Sequence, residues 1–274
     1  MSKQTKLRRS PKDLFAQPNG PVVLAHRGWR GYYPENTMLA LQKAAELPID
    51  ALEIDIHRTA DNVLVVIHDE TVDRTTNGTG PVRFYSLEEL QALDAGYTWT
   101  NDAGKTFPFR GKGTTIPTLE EVYKAFPDLW INIDIKQHDP QTAQALANFI
   151  RRLGVADRTC VGSFDDKTIY TFRGLAPSVC KSGSPGEIKR LAAMNLVRFS
   201  RFYKPVAHVF QMPEYRGNYR VVTKRFVEDA HKHNIAVHVW TVNNVRKMEE
   251  LLNLGVDGII TDYPDRLLKL LGRM

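Results

Sequence analysis

Residues 51–69 read ALEIDIHRTADNVLVVIHD. Glu53 and Asp55 stand two apart in an apolar, β-branched run, and the two-residue period of a strand puts both on one face. A second short strand, VLVVI at 63–67, then delivers His68 and Asp69. Carboxylates left unpaired in so buried a pattern would carry a large desolvation cost. The stretch therefore points to a metal site with a general acid or base beside it.

Apolar runs of strand length recur on both sides of this stretch. They fall at 21–26, 50–57, 130–136, 159–164, 178–182, 206–211, 235–240 and 257–262. Helical patterns follow each: from Pro34 to about Glu46, then 118–126, 140–152, 165–174, a helix opened by Ser184-Pro185-x-Glu187, 223–233, 244–253 and 264–272. Eight strand–helix units predict a (β/α)8 TIM barrel. A doubly wound open sheet is disfavoured, because no GxGxxG follows the first strand. Residues 70–116, with a short helix opened by the Ser86–Glu89 capping pattern, read as an insertion after strand two, poor in apolar residues for a core of its own. The expected layout is a basic, flexible tail over 1–20 and a single barrel domain over 21–274.

Of the net charge of +6, Lys3, Lys6, Arg8, Arg9 and Lys12 supply five before the first acidic residue, Asp13. The remainder is close to neutral, which argues against a nucleic-acid partner, since that calls for a basic stripe on the domain itself. The tail lacks the apolar core of a secretory signal, and no run reaches the roughly 18 apolar residues of a membrane helix. A cytoplasmic chain with reduced thiols at Cys160 and Cys180 is expected, touching a membrane at most peripherally.

A barrel places its chemistry at the C-terminal ends of its strands. His26 ends strand one, Glu53 and Asp55 lie late in strand two, and Asp134 and Lys136 end strand three. Phe164, Gln211, Trp240 and Asp262 take the same place on later strands. Glu53, Asp55 and Asp134 form an oxygen-rich set suited to Mg²⁺ or Ca²⁺. His26 and His68 can act as general acid and base, with Arg27 and Lys136 adding positive charge. Three carboxylates, a divalent cation, two bases and a phosphodiester monoanion sum to neutrality, the balance expected at a phosphoryl-transfer site.

These residues fall within motifs: A-H-R-G-(x)5-P-E-N-T at 25–37, E-I-D-I-x-x-T-x-D at 53–61, V-I-H-D at 66–69 and N-I-D-I-K at 132–136. G-S-F at 162–164, W-T-V-N at 240–243 and G-I-I-T-D-Y-P at 258–264 complete the set. From about Pro21 to the C-terminus the chain closely resembles the glycerophosphodiester phosphodiesterase family. The resemblance implies a TIM barrel with an insertion after strand two, a bound Ca²⁺ or Mg²⁺, and hydrolysis of glycerophosphodiesters to sn-glycerol 3-phosphate and an alcohol. It implies His26 and His68 as the acid/base pair, Arg27 and Lys136 on the phosphate, and Glu53 and Asp55 on the metal. Phe164 and Trp240 would line the substrate pocket, while Glu35 and Asn36 brace the first loop. Asp134 departs from the pattern, since most members carry glutamate there; the shorter reach implies a metal drawn toward strand three or a bridging water. N-I-D-I-K, with the F-Q-x-P step at Phe210–Pro213, resembles the branch acting on lysophospholipids.

The segment 194–206 interleaves Phe199, Phe202 and Tyr203 with Arg198, Arg201 and Lys204. Such a pattern suits a lipid interface, or the end of a helix that tucks its aromatics under the barrel. In the first case the expected substrate is a one-chain lysolipid, cleaved by water or through a cyclic phosphate as in lysophospholipase D or sphingomyelinase D. A non-catalytic barrel binding lipid or phosphate would be expected to have lost a histidine, and both are present.

Overall fold

A computed structural model describes residues 20–274, so the basic tail expected over 1–20 lies, apart from Gly20, outside the described residues. In chain order the elements are β1 (Val22–His26), α1 (Met38–Ala45), β2 (Ala51–Arg58), β3 (Leu64–Val66), α2 (Leu87–Gln91), α3 (Leu119–Ala125), β4 (Trp130–Ile135) and α4 (Pro140–Leu153). There follow β5 (Thr159–Gly162), α5 (Asp166–Leu175), β6 (Cys180–Lys181), α6 (Pro185–Leu196) and β7 (Val209–Pro213). The chain ends with the hairpin β8 (Tyr215–Arg216) and β9 (Tyr219–Arg220), then α7 (Lys224–Lys232), β10 (Ala236–Trp240), α8 (Val245–Asn253), β11 (Gly258–Thr261) and α9 (Pro264–Leu270).

Eight of these strands pair in parallel in the order β6-β5-β4-β2-β1-β11-β10-β7. The ring closes between β6 and β7 through the parallel bridge of Ser182 to Val209 and a 2.7 Å bond from the Gly183 N–H to the Val209 carbonyl. The fold is therefore a (β/α)8 TIM barrel. β3 folds back antiparallel on β2, with His57 opposite Val65, which is how His68 is returned to the rim beside Asp55.

Strand alternation sorts the side chains. Leu52, Ile54 and Ile56 of β2 are fully buried against the helices, and truncating one to alanine would cost about 2–5 kcal/mol. The opposite parity faces the barrel axis in layers, as such barrels require. At the bottom lie Val22, Leu24 and Ala51, with Cys160, Cys180, Val209 and Ala236 across from them. The two thiols sit on paired positions of β5 and β6, 3.2 Å apart and sealed from solvent. Higher up the axis the residues turn polar: Glu53, Asn132 and His238, and at the rim His26, Asp55, Asp134 and Asp262. Burial pulls the His238 imidazole down to about 4, so it sits in the barrel uncharged.

Four expectations differ from what is observed. The first helix begins at Met38 rather than Pro34, because Asn36 takes a left-handed φ of 56° and Thr37 caps the helix through the Ala40 N–H at 3.3 Å. The strand expected at 206–211 is Val209–Pro213, the segment before it being occupied by a turn that tucks Tyr203 into the core. Gln211 is consequently mid-strand and points into the barrel, while Phe164 lies two residues beyond the end of β5. The stretch after β3 does own a small core, in which Val72, Val82, Leu90, Ala95 and Ile116 pack on Val65 and Ile67. Among the described residues no helix is long and apolar enough to cross a membrane.

Candidate active site

The loop after β1 is built for close approach. Gly28 has φ of 82°, and a Cβ there would meet the Ala40 carbonyl carbon at 2.6 Å, so only glycine lets the loop lie against α1. The preceding residue, Arg27, also bends left-handed at 54° and turns its side chain back over the rim.

Both histidines carry an aspartate on Nδ1. His26 Nδ1 lies 2.6 Å from Asp262 Oδ1, at the end of β11, and its Nε2 faces Glu53 Oε2 at 4.0 Å. His68 Nδ1 lies 2.5 Å from Asp69 Oδ1, and the His68 carbonyl is bonded to His57 Nε2 at 3.1 Å. An aspartate on Nδ1 fixes that nitrogen as the protonated one and leaves Nε2 to face the cavity. Burial pulls the His68 imidazole below its ordinary value, against the opposing pull of the Asp55 charge. Burial works to raise Asp262 as well, but the bond from His26 outweighs it and keeps that carboxyl low.

The carboxylates are arranged around two cations. Lys136 Nζ donates to Asp134 Oδ2 at 2.6 Å and stands 3.1 Å from Asp55 Oδ1. Arg27 Nε stands 3.0 Å from Asp55 Oδ2, its Nη1 donates to Glu35 at 2.7 Å, and its backbone N–H donates to Glu53 Oε2 at 3.2 Å. Asn36 Nδ2 donates to Asp55 Oδ2 at 2.9 Å. Burial, reinforced by the Asp55 charge, raises the Glu53 carboxyl to about 7. Burial acts on Asp55 in the same sense, yet Lys136 and Arg27 outweigh it and hold that group below the usual range. Burial leaves Asp134 raised despite Lys136, and the Asp134 Oδ1 is buried without a hydrogen-bond partner. Lys136 stands between Asp55 and Asp134, and among the described residues no group of three or more histidine, cysteine or acidic side chains forms a ready-made metal cage.

His26, Arg27, Glu53, Asp55, His68, Asp134, Lys136, Phe164, Gln211 and Trp240 border a single cavity of about 840 Å³. Phe164 and Trp240 meet edge to face at 5.3 Å, and the Lys136 ammonium lies 4.8 Å from the Phe164 ring centre. Gln211 donates to Asn132 at 2.8 Å across the barrel. Glu35 and Asn36 stand behind the cavity wall. Glu35 accepts from Arg27, from Arg30 at 2.8 Å and from Arg74 at 2.7 Å, and these guanidinium groups overcome its burial to hold it far below the carboxylate range.

Two members of this network are given no role by the sequence pattern. Asp262 is visible in the sequence as a strand-end acid, but its hold on His26 spans almost the whole chain. Arg74 gives no local signal at all, yet it joins Asp69 to Glu35 from within the stretch after β3.

Two histidine–aspartate pairs and a cluster of bases and acids lie at the C-terminal rim, the end at which barrels of this fold carry their active sites. The glycerophosphoryl diester phosphodiesterase family matches residues 26–266. The glycerophosphodiester phosphodiesterase of Caldanaerobacter subterraneus subsp. tengcongensis is 36% identical over 256 residues, covering 91% of this chain and 97% of that one. The crystal structure of a glycerophosphodiester phosphodiesterase from Agrobacterium tumefaciens superposes with a TM-score of 0.72 at 28% identity, over 91% of this chain and 99% of that one. The fold is shared too by an Oleispira antarctica phosphodiesterase in complex with the product sn-glycerol-3-phosphate, with a TM-score of 0.74 at 23% identity over 93% and 98% of the two chains. The chain belongs to the glycerophosphoryl diester phosphodiesterase family and is a phosphoric diester hydrolase.

Proposed function

We propose that the enzyme hydrolyses glycerophosphodiesters to sn-glycerol 3-phosphate and an alcohol, with His26 and His68 as its acid/base pair. The observation that carries this reading is the matched pair of imidazoles. Each is bonded at Nδ1 to an aspartate and lines a cavity that Lys136 and Arg27 also line. One histidine takes the proton of an attacking water as its oxygen bonds to phosphorus. The other gives a proton to the departing alkoxide as the old P–O bond breaks, so that a phosphomonoester and an alcohol result. Lys136 and Arg27 balance the charge of the phosphoryl oxygens while holding Asp55 in place.

The donor set also fits a hard divalent cation, Mg²⁺ or Ca²⁺. Glu53, Asp55 and Asp134 would hold it, and the unpartnered Asp134 Oδ1 is a carboxylate oxygen of the kind such a cation takes. When bound, it would supply a Lewis acid to the phosphoryl oxygens. Lys136 meanwhile sets one positive charge between Asp55 and Asp134, which lowers the cost of holding two buried carboxylates side by side.

A second reading, cleavage of lysolipids by water or through a cyclic phosphate, is favoured by the far wall of the cavity. Beyond Phe164 that wall is lined by Ile188, Ala192, Met212 and Val221, apolar surface that a single acyl chain would cover. Turnover of glycerophosphocholine and lysophosphatidylcholine, each followed by choline release, tests both readings. Faster turnover of the deacylated diester supports the first; faster turnover of the lysolipid supports the second; release from neither refutes both.

A further inference from the structure

An acid-free stretch lies at the other end of the barrel from this cavity. Between Glu187 and Glu214 the sequence contains no aspartate or glutamate. α6 descends from the catalytic rim, so its C-terminus and the connection to β7 lie under the N-terminal ends of the strands. Here Leu196, Val197, Phe199, Phe202 and Val206, within eleven residues of sequence, are exposed by 67%, 61%, 55%, 58% and 59%. Phe199 and Phe202 stack at 6.0 Å, and Arg201 lies over the Phe202 ring at 4.6 Å. Arg198, Arg201 and Lys204, interleaved with them, are exposed, and among the described residues none has an ion-pair partner.

The turn beneath the patch is firmly held. Tyr203 is buried on His233, whose Nε2 bonds to the Ser200 carbonyl at 2.8 Å. Asp229 of α7, the acid nearest this turn, is buried and engaged by Asn195 at 2.6 Å and Lys232 at 2.9 Å, so it does not cancel the patch charge. The exposed side chains therefore project from a rigid base and are not a frayed helix end.

We propose that this face docks on an anionic lipid surface, with Phe199 and Phe202 entering the interface and Arg198, Arg201 and Lys204 meeting the headgroups. Aromatic and aliphatic tips ringed by unpaired cations are the composition such interfaces select. A second copy of the chain is a poorer occupant, since two-fold pairing would set like charges against each other. Docked in this way, the catalytic mouth faces solution and receives its substrate as monomers. The inference stands apart from the catalytic reading and does not need it.

The test is sedimentation of the full-length chain with vesicles of phosphatidylcholine mixed with phosphatidylglycerol, and with vesicles of phosphatidylcholine alone. We expect binding to the mixed vesicles that weakens with added salt. Phe199→Ser with Phe202→Ser should lower the partition coefficient about tenfold, and Arg201→Glu with Lys204→Glu at least as much. All variants should keep the wild-type melting midpoint, because the altered side chains are exposed. Failure of the wild-type chain to bind mixed vesicles overturns the proposal, as does binding that is unchanged in both folded double variants. A chain that stays in the supernatant as a dimer, and becomes monomeric with Phe199→Ser and Phe202→Ser, would make the face a subunit interface instead.

Discussion

Asp262→Asn exchanges one carboxylate oxygen for an amide nitrogen at nearly constant shape, and the surroundings decide which way the amide turns. Asn243 Nδ2 donates to Asp262 Oδ2 at 2.7 Å. Asn243 cannot turn over to relieve a clash, because its own Oδ1 accepts from the Asp262 N–H at 3.0 Å and from Thr261 Oγ1 at 3.1 Å. The new amide must therefore give its oxygen to Asn243 and its NH₂ to His26 Nδ1. That nitrogen becomes an acceptor, the ring proton moves to Nε2, and the face toward the cavity carries the wrong tautomer. The negative charge that would stabilise the imidazolium is lost in the same step. An aspartate-to-asparagine change behind a catalytic histidine costs up to about 10⁴ in rate in the Ser-His-Asp template, and positioned acid/base groups contribute roughly 10²–10⁴. We expect kcat to fall about 10³-fold, about 4 kcal/mol of transition-state stabilisation, with KM changed less than about threefold. The assay is steady-state release of choline from glycerophosphocholine, with the melting midpoint as a check on folding. A folded Asp262→Asn enzyme with kcat within about threefold of wild type would refute the role given to this pair.

His26→Ala and His68→Ala should each lose about 10² or more in kcat without unfolding, and the double variant should lose far less than the product of the two; near-wild-type turnover by either would make that histidine structural. Exhaustive chelation should abolish turnover and Mg²⁺ or Ca²⁺ restore it, whereas full turnover in excess chelator would remove the metal from the chemistry. Glu53 keeps its proton below about 7, and a cation must displace that proton. Calorimetric cation affinity should therefore fall as pH drops below about 7 and level off above it; a pH-independent affinity between about 5 and 7 would show that Glu53 is not a ligand. Arg74→Ala, which unties Asp69 from Glu35, should lower kcat roughly tenfold with partial rescue in Arg74→Lys, and an unchanged kcat would show that His68 holds its place without it.

The barrel was legible because its strands are short apolar runs separated by helical patterns, and because reactive side chains gather at one end of each run. Glu53 and Asp55 share a face by parity alone, as do Asp134 and Lys136, and the cavity borders all four. Parity says nothing about pairing across the chain. His26 meets Asp262 only because β1 lies beside β11 in the closed ring, and Arg74 meets Glu35 only because the stretch after β3 folds over the first loop. Hydrophobicity does not fix a strand's first paired residue: before β7, apolar character begins at Val206, although pairing with β10 begins at Val209. The pattern at 194–206 leaves open a lipid-facing surface or a helix end tucked under the barrel, and the segment divides between them: Tyr203 is buried while Phe199 and Phe202 are exposed, at the end of the barrel opposite the site.

Phosphorus NMR of glycerophosphocholine hydrolysis in water labelled with heavy oxygen tests the proposed chemistry most directly. Attack by water between His26 and His68 should yield sn-glycerol 3-phosphate as the first phosphorus product. Its phosphate should carry one labelled oxygen, and the choline released should carry none. A cyclic phosphate as first product, or label appearing in the choline, would contradict that mechanism.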